Sequence, residues 1–178
     1  MRLLLSTVLA LLCLFPASRL LAQKERPEPL TEAQIEEIRE AGIAPNERVK
    51  LYAKYTDEHA DALKSLAARG KSAARSKRLG EELQDLTALM DEFGSNLDVY
   101  SERHADIRKG LKPLPEAADR WLAILRAIPS EPSFDVSLKE AIEGGQDFAE
   151  QAKQLVTDQT AYFLLHKDEA NQDRAEPK

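Results

Sequence analysis

Leu79, Leu83, Leu86, Met90, Phe93, Leu97, Tyr100, His104, Ile107 and Leu111 follow one another at alternating spacings of four and three, without a slip. Only a helix brings residues at those spacings onto one side, so this stretch predicts a single long helix with a heptad seam. The columns beside the seam say what it packs against. One flank reads Gly80, Thr87, Gly94 and Ser101; the other reads Glu82, Leu89, Asn96 and Arg103. A free two-stranded coiled coil carries pairing charges on both flanks. A flank of small residues instead admits a close neighbouring helix, so the helix is expected to sit inside an intramolecular bundle. Gln84, Asp85, Asp91, Glu92, Asp98 and Asp106 form its expected wet face. Gly110 and Pro113 are its expected end.

The remaining segments carry the same period. Leu30-Thr31-Glu32-Ala33-Gln34-Ile35 reads as a helix start: Thr31 as N-cap, Gln34 closing a capping box, Leu30 and Ile35 as a hydrophobic staple, with Gly42 as the stop. Pro45 suits the first turn of a second helix, whose face is Tyr52, Tyr55, His59, Ala62 and Leu66, widened by Leu51 and Leu63. Gly70 is the expected break, and the basic run Arg69 to Arg78 reads as a solvated turn leading into the third helix. Pro115 opens a fourth helix with Ala118, Trp121, Leu122, Leu125 and Ile128 on its apolar face, ended by Pro129 and Pro132. A fifth runs from about Phe134 to His166 with Leu138, Ile142, Phe148, Ala152, Leu155, Val156, Tyr162 and Phe163 facing the core, interrupted at Gly144-Gly145. No strand pattern and no internal repeat occurs. The prediction is all-α: an antiparallel up-down helical bundle of four main helices plus a short N-terminal helix, over residues 31–166.

The two ends differ from this domain. Met1-Arg2 is followed by a mostly apolar run from Leu3 to Phe15, then Pro16 and Leu20-Leu21-Ala22. Positive start, short apolar segment and small residue are the order of a secretory signal, with cleavage expected after Ala22. About 13 apolar residues fall short of the roughly 20 that span a bilayer. Residues 1–22 are therefore expected to be a signal peptide, 23–30 a polar linker, and 167–178 a disordered polar tail. Cleavage removes Cys13, the only cysteine, and leaves 23 Lys and Arg against 31 Asp and Glu, a net charge of −8. That chain depends on packing without disulfides, and its charge disfavours nucleic acid or an anionic membrane as partner. With no Asn-x-Ser/Thr site either, the address expected is periplasmic or secreted, with no integral span after cleavage.

Candidate chemistry is sparse. His59, His104 and His166 are the only histidines, and with Met90 they are the candidate ligands of a haem- or metal-binding bundle. A carboxylate-bridged metal bundle places a Glu three residues before a histidine; Thr56, Ser101 and Phe163 stand there instead. A hairpin turning near Gly70 sets His59 beside Thr87–Met90, away from His104. Gly70-Lys71-Ser72 has Ser65 where a phosphate-binding loop needs its first glycine, and no preceding strand. Asp57-Glu58, Glu81-Glu82 and Asp91-Glu92 fall on predicted wet faces. No cofactor, metal or catalytic residue is therefore assigned, and the chain is read as non-enzymatic. Tyr162, Phe163, Leu164 and Leu165 are apolar at four consecutive positions, more than one helix face holds, which makes them the candidate surface for a protein partner or a second copy.

Leu30-Thr31-x-x-Gln34 resembles the LTxxQ signature of the Spy-type periplasmic chaperones, which are small, exported and all-helical. That resemblance implies a client-binding chaperone; this chain carries the motif once, where that family carries it twice. As a whole the sequence looks like short exported bacterial proteins of unassigned function, which supply no site residues.

Overall fold

The computed structural model describes residues 28–171, and among them every regular element is helical. The elements are α1 (Glu32–Glu40), α2 (Pro45–Ala67), α3 (Ala73–Glu102), α4 (Arg108–Leu111), α5 (Leu114–Ala127) and α6 (Asp135–Leu165), then a 3-10 turn over Lys167–Glu169. None of these helices is long and apolar enough to cross a membrane. The expected signal peptide, most of the linker and residues 172–178 of the tail lie outside the described residues.

Local chemistry accounts for the starts. Thr31 and Gln34 make the capping box: Gln34 N–H donates to Thr31 Oγ1 and Thr31 N–H to Gln34 Oε1. Pro45 stands at the first turn of α2, and Ser72 caps α3 by accepting from Arg75 N–H at 3.2 Å. Gly70 lies in the turn between α2 and α3, which are two helices and not one rod.

Each of the four long helices packs on two of the other three. α3 lies against α2 and α6, and α5 lies against α6 and α2, while α1 touches α2 and no other helix. The flanks of α3 sort its neighbours as their sizes require. On the small side, β-carbons built on Gly80 and Gly94 would meet Phe134 Cβ at 3.5 Å and Gln151 Oε1 at 2.8 Å, so α6 approaches where α3 has no side chain. On the other side, Glu82 meets His59, and Asn96 donates to Tyr52 Oη at 3.3 Å, so that flank faces α2. Leu79, Leu83, Leu86, Met90, Phe93, Leu97 and Tyr100 are buried between them. Tyr52, Phe93, Phe148 and Trp121 form a chain of rings with centroids 5.1–5.8 Å apart that crosses the core from α2 to α5.

The long seam is where expectation and structure part. α3 stops at Glu102. His104 takes a left-handed backbone (φ 52°), His104 N–H bonds back to Ser101 C=O, and Ala105 N–H to Tyr100 C=O. This is a Schellman stop, normally built on glycine and here built on histidine. Ile107 and Leu111 remain buried, but on the separate α4, and the predicted polar seam member His104 is exposed. Asp106, expected on the wet face, is buried. Arg75 departs from the solvated basic run: its guanidinium donates to Leu66 C=O and Ala67 C=O, both at 3.1 Å, and to Glu131 at 2.8 Å. It thereby satisfies the open carbonyls at the end of α2 and ties that end to the α5–α6 turn. Gly144-Gly145 does not interrupt α6. A β-carbon on Gly145 would lie 3.2 Å from Leu125 Cδ1 of α5 and one on Gly144 3.7 Å from Thr87 Cγ2 of α3, so the pair is where α6 crosses both neighbours closely.

Candidate functional site

The candidate surface lies in the last turn of α6, and helix geometry divides it. Successive residues turn by about 100°. Phe163 faces the core, so its neighbours leave it on either side. Phe163 is buried, with the Arg108 guanidinium 4.6 Å above its ring. Tyr162 is half-buried and stacks on His104 (4.2 Å) and on His166 (4.3 Å), while its hydroxyl donates to Glu169 at 2.8 Å. Leu164 and Leu165 are 65% and 81% exposed. Of the four predicted residues, two hold the end of α6 in place and two are offered to solvent. The other large exposed apolar side chains stand apart from this surface: Ile43 in the turn before α2, Val99 on α3 and Val136 in the first turn of α6.

Beneath this surface is a polar joint that periodicity did not reveal. Asp106 Oδ1 and Oδ2 each accept from Arg108 at 2.8 Å, and Oδ2 also accepts Asn171 N–H at 2.9 Å. The Arg108 hydrogen bonds hold the Asp106 carboxyl down at about 2 despite burial, with Asn171 N–H adding to the effect. Gln159, 4% exposed, accepts Ile107 N–H at 3.3 Å and donates to Ala105 C=O at 3.1 Å. Asn46 donates to Asp106 C=O and accepts Gly110 N–H, at 2.7 and 2.8 Å. The irregular backbone between α3 and α4 is thus satisfied from α2, from α6 and from the chain after α6. Residues 167–171, expected as disordered tail, are docked by these bonds. No signal in the sequence singled out Asn46 or Gln159, whose partners lie more than 50 residues away, and the pairing of Asp106 with nearby Arg108 leaves no periodic mark.

The histidines and Met90 occupy separate places. His59 Nδ1 lies 2.6 Å from Glu82 Oε1 and its Nε2 lies 2.9 Å from Pro29 C=O. The α2–α3 register therefore sets His59 beside Glu82, more than one turn from the expected Thr87–Met90. Burial pushes the imidazole down, but the Glu82 hydrogen bond and charge, Pro29 C=O and Asp85 outweigh it and hold it above 6.5. Met90 is buried near Gly145, and His104 and His166 belong to the stack on Tyr162. Among the described residues no group of three or more His, Cys, Asp and Glu side chains is placed to hold a metal ion.

The acidic pairs are only partly on wet faces. Asp57 accepts from Trp121 Nε1 and from Arg120, both at 2.5 Å, and joins α2 to α5. Glu82 is engaged by His59, whereas Asp91 and Glu92 are exposed, Glu92 accepting from Tyr52 Oη at 2.7 Å. Clefts of about 380 Å³ between α2 and α5 and about 430 Å³ between α3 and α6 are open to solvent. The first is lined by Lys50, Lys54 and Arg120 opposite Asp57 and Glu116, the second by Asp91, Asp98 and Asp147. The second also holds Ser95, whose hydroxyl donates to Asp91 C=O at 2.9 Å. Compared with known proteins, the chain matches no protein-family model, no curated protein and no solved structure.

Proposed function

We propose that this chain is an exported, non-enzymatic helical protein that binds another protein or a second copy of itself in the cell envelope. The observation that carries the reading is the exposure of Leu164 and Leu165, adjacent on the chain at the end of a helix whose neighbouring Phe163 is anchored in the core. Two leucines held out by a rigid support are an apolar contact offered without an internal partner. Export rests on the order of residues 1–22, with cleavage after Ala22 and a periplasmic or secreted destination.

The scaffold is read as an up-down bundle of α2, α3, α5 and α6, with α1 laid on α2. Pairs such as Leu66–Arg75, His59–Glu82 and Tyr52–Glu92 fall along one helix as they rise along the other, which supports antiparallel α2 and α3. Gln84–Ser137 and Gly94–Gln151 rise together along α3 and α6, as Asn46–Gly110 and Asp57–Trp121 do from α2 towards α5. On this reading consecutive long helices alternate in direction, and α4 carries the chain diagonally from α3 to α5.

The test is sedimentation of residues 23–178 against the Leu164→Ser, Leu165→Ser double variant over a range of concentrations, with cross-linking in the native envelope. Self-association or a cross-linked partner that weakens in the variant is the expected result. An unchanged association state and an unchanged cross-linking pattern remove the surface. Native mass spectrometry of the same sample reads the cleavage site, and bound mass in it favours the haem- or metal-binding alternative. The LTxxQ chaperone alternative predicts suppressed aggregation of unfolded clients. Thr31 and Gln34 are already engaged in capping α1, and Gln34 Nε2 also donates to Glu58 at 3.1 Å.

A further inference from the structure

We infer that His59 is a pH-dependent latch: as an imidazolium it holds the segment Pro29–Thr31, and with it the first turn of α1, onto the α2–α3 face, and it lets that segment go as it loses its proton. The geometry demands two protons between the ring and its partners. Nδ1 faces the Glu82 carboxylate and Nε2 faces a backbone carbonyl, and neither acceptor brings a hydrogen of its own. A neutral imidazole has one N–H, so one contact then sets a lone pair against an acceptor. Pro29 C=O has no alternative among the described contacts, and Leu30 beside it is buried.

Against its own burial, the acceptors facing His59 favour the cation, and Arg69 and Arg78 line the cleft beside Glu82 and Asp85. Glu82 and Asp85 face it from α3, with Glu81 close to Asp85; Glu58 stands next to it on α2 and is held by Gln34 of α1; the arm contributes only the carbonyl. Asp85 Oδ1 is buried with no hydrogen-bond partner among the described residues. Loss of the imidazolium leaves Glu82 and Asp85 as like charges one turn apart, so the contact weakens on both sides at once.

The arm is built to move by itself. α1 packs on α2 alone. Its further polar ties, Glu37 to Tyr55 and Lys54, and the buried Ile38 lie towards its other end, while Leu30 and Ile35 pack against the core at the end the latch holds. Local opening of such a unit leaves the remaining helix contacts intact. The sign follows from linkage. A histidine raised in the folded state stabilises the closed arm fully below its free value near 6.5, and that contribution is lost as pH rises through the folded value. The arm is closed below the free value and loosened as pH rises through the folded one.

The experiment is NMR on the whole labelled protein between pH 5 and 9. The His59 ring is expected to titrate with a midpoint above 6.5. Through that midpoint the Gln34 and Ile35 amides, which donate to Thr31, are expected to lose protection after correction for intrinsic exchange. The loss is about tenfold for each unit by which the folded midpoint exceeds 6.5. Amides of Leu83 and Leu86 in α3 should hold their protection. Glu82→Gln should lower the midpoint and shrink the loss, and His59→Gln should abolish its pH dependence. A His59 midpoint at or below 6.5, or Gln34 and Ile35 protection that is flat through the midpoint, overturns the inference on the wild-type protein alone.

Discussion

The two ends of the described chain are tied back by opposite chemistry. At the amino end a backbone carbonyl, Pro29 C=O, accepts from a histidine; at the carboxyl end a backbone N–H, that of Asn171, donates to the Asp106 carboxylate. Both side chains lean on a charged neighbour, Glu82 for His59 and Arg108 for Asp106. The difference is where each titrates. Asp106 is held at about 2 and keeps its charge at any ordinary pH, whereas His59 is a histidine raised above its ordinary 6.5. One end is fastened permanently and the other conditionally, although the bonds have similar lengths. Counting contacts would not separate them.

Breaking the permanent end carries the largest expected effect. Asp106→Ala removes the acceptor of Arg108 and of Asn171 N–H. It should lower stability by about 1.5–3 kcal/mol, the range for hydrogen bonds to charged groups, and no more because Arg108 can turn to water. Chemical denaturation measures the loss, and exchange should show residues 167–171 released. Wild-type stability from Asp106 is present above its ordinary 3.8 and is lost as pH falls towards 2. A wild type whose difference from Asp106→Ala is unchanged between pH 5 and pH 2 would refute this assignment.

Gly110→Ala attacks the same joint sterically. The new β-carbon would lie 2.9 Å from Val49 Cβ and 3.1 Å from Asn46 C=O, neither of which is a flexible chain end. About 1–3 kcal/mol is expected, read as a lower denaturation midpoint with no change at the amino end. At that end His59→Gln should cost about 1 kcal/mol in mild acid, and progressively less as pH rises through the wild-type His59 midpoint. A constant difference across pH would show that the two ends do not differ in kind. Thr31→Ala should cost about 1 kcal/mol, confined to exchange in α1, because it removes the cap of a helix that only α2 supports. Smallest of all, Leu164→Ser with Leu165→Ser should change stability by no more than about 0.5 kcal/mol, since neither side chain is buried. A larger loss would mean that these leucines serve the fold.

Much of the fold was legible because helix packing writes itself into the period of one chain. Thr31 with Gln34, Pro45 and the small flank of α3 each act on their own helix or on whatever approaches it. The candidate surface was half legible. Four apolar positions in a row announced that some must face outward, but which two depended on Phe163 finding Arg108. The end of α3 was misplaced because its stop uses histidine where glycine is the usual signal.

The sequence by itself determined that the described chain is helical, where most helices begin, and that α3 has one close neighbour and one polar one. Only the tertiary structure decided that Asp106 is buried, that Arg75 closes the end of α2, and that His59 meets Glu82 and Pro29. The physical reason is range. Caps and periodic faces are set by residues three or four apart. A buried charge or a poised histidine is defined by groups that chain folding brings from tens of residues away, and these leave no repeat behind.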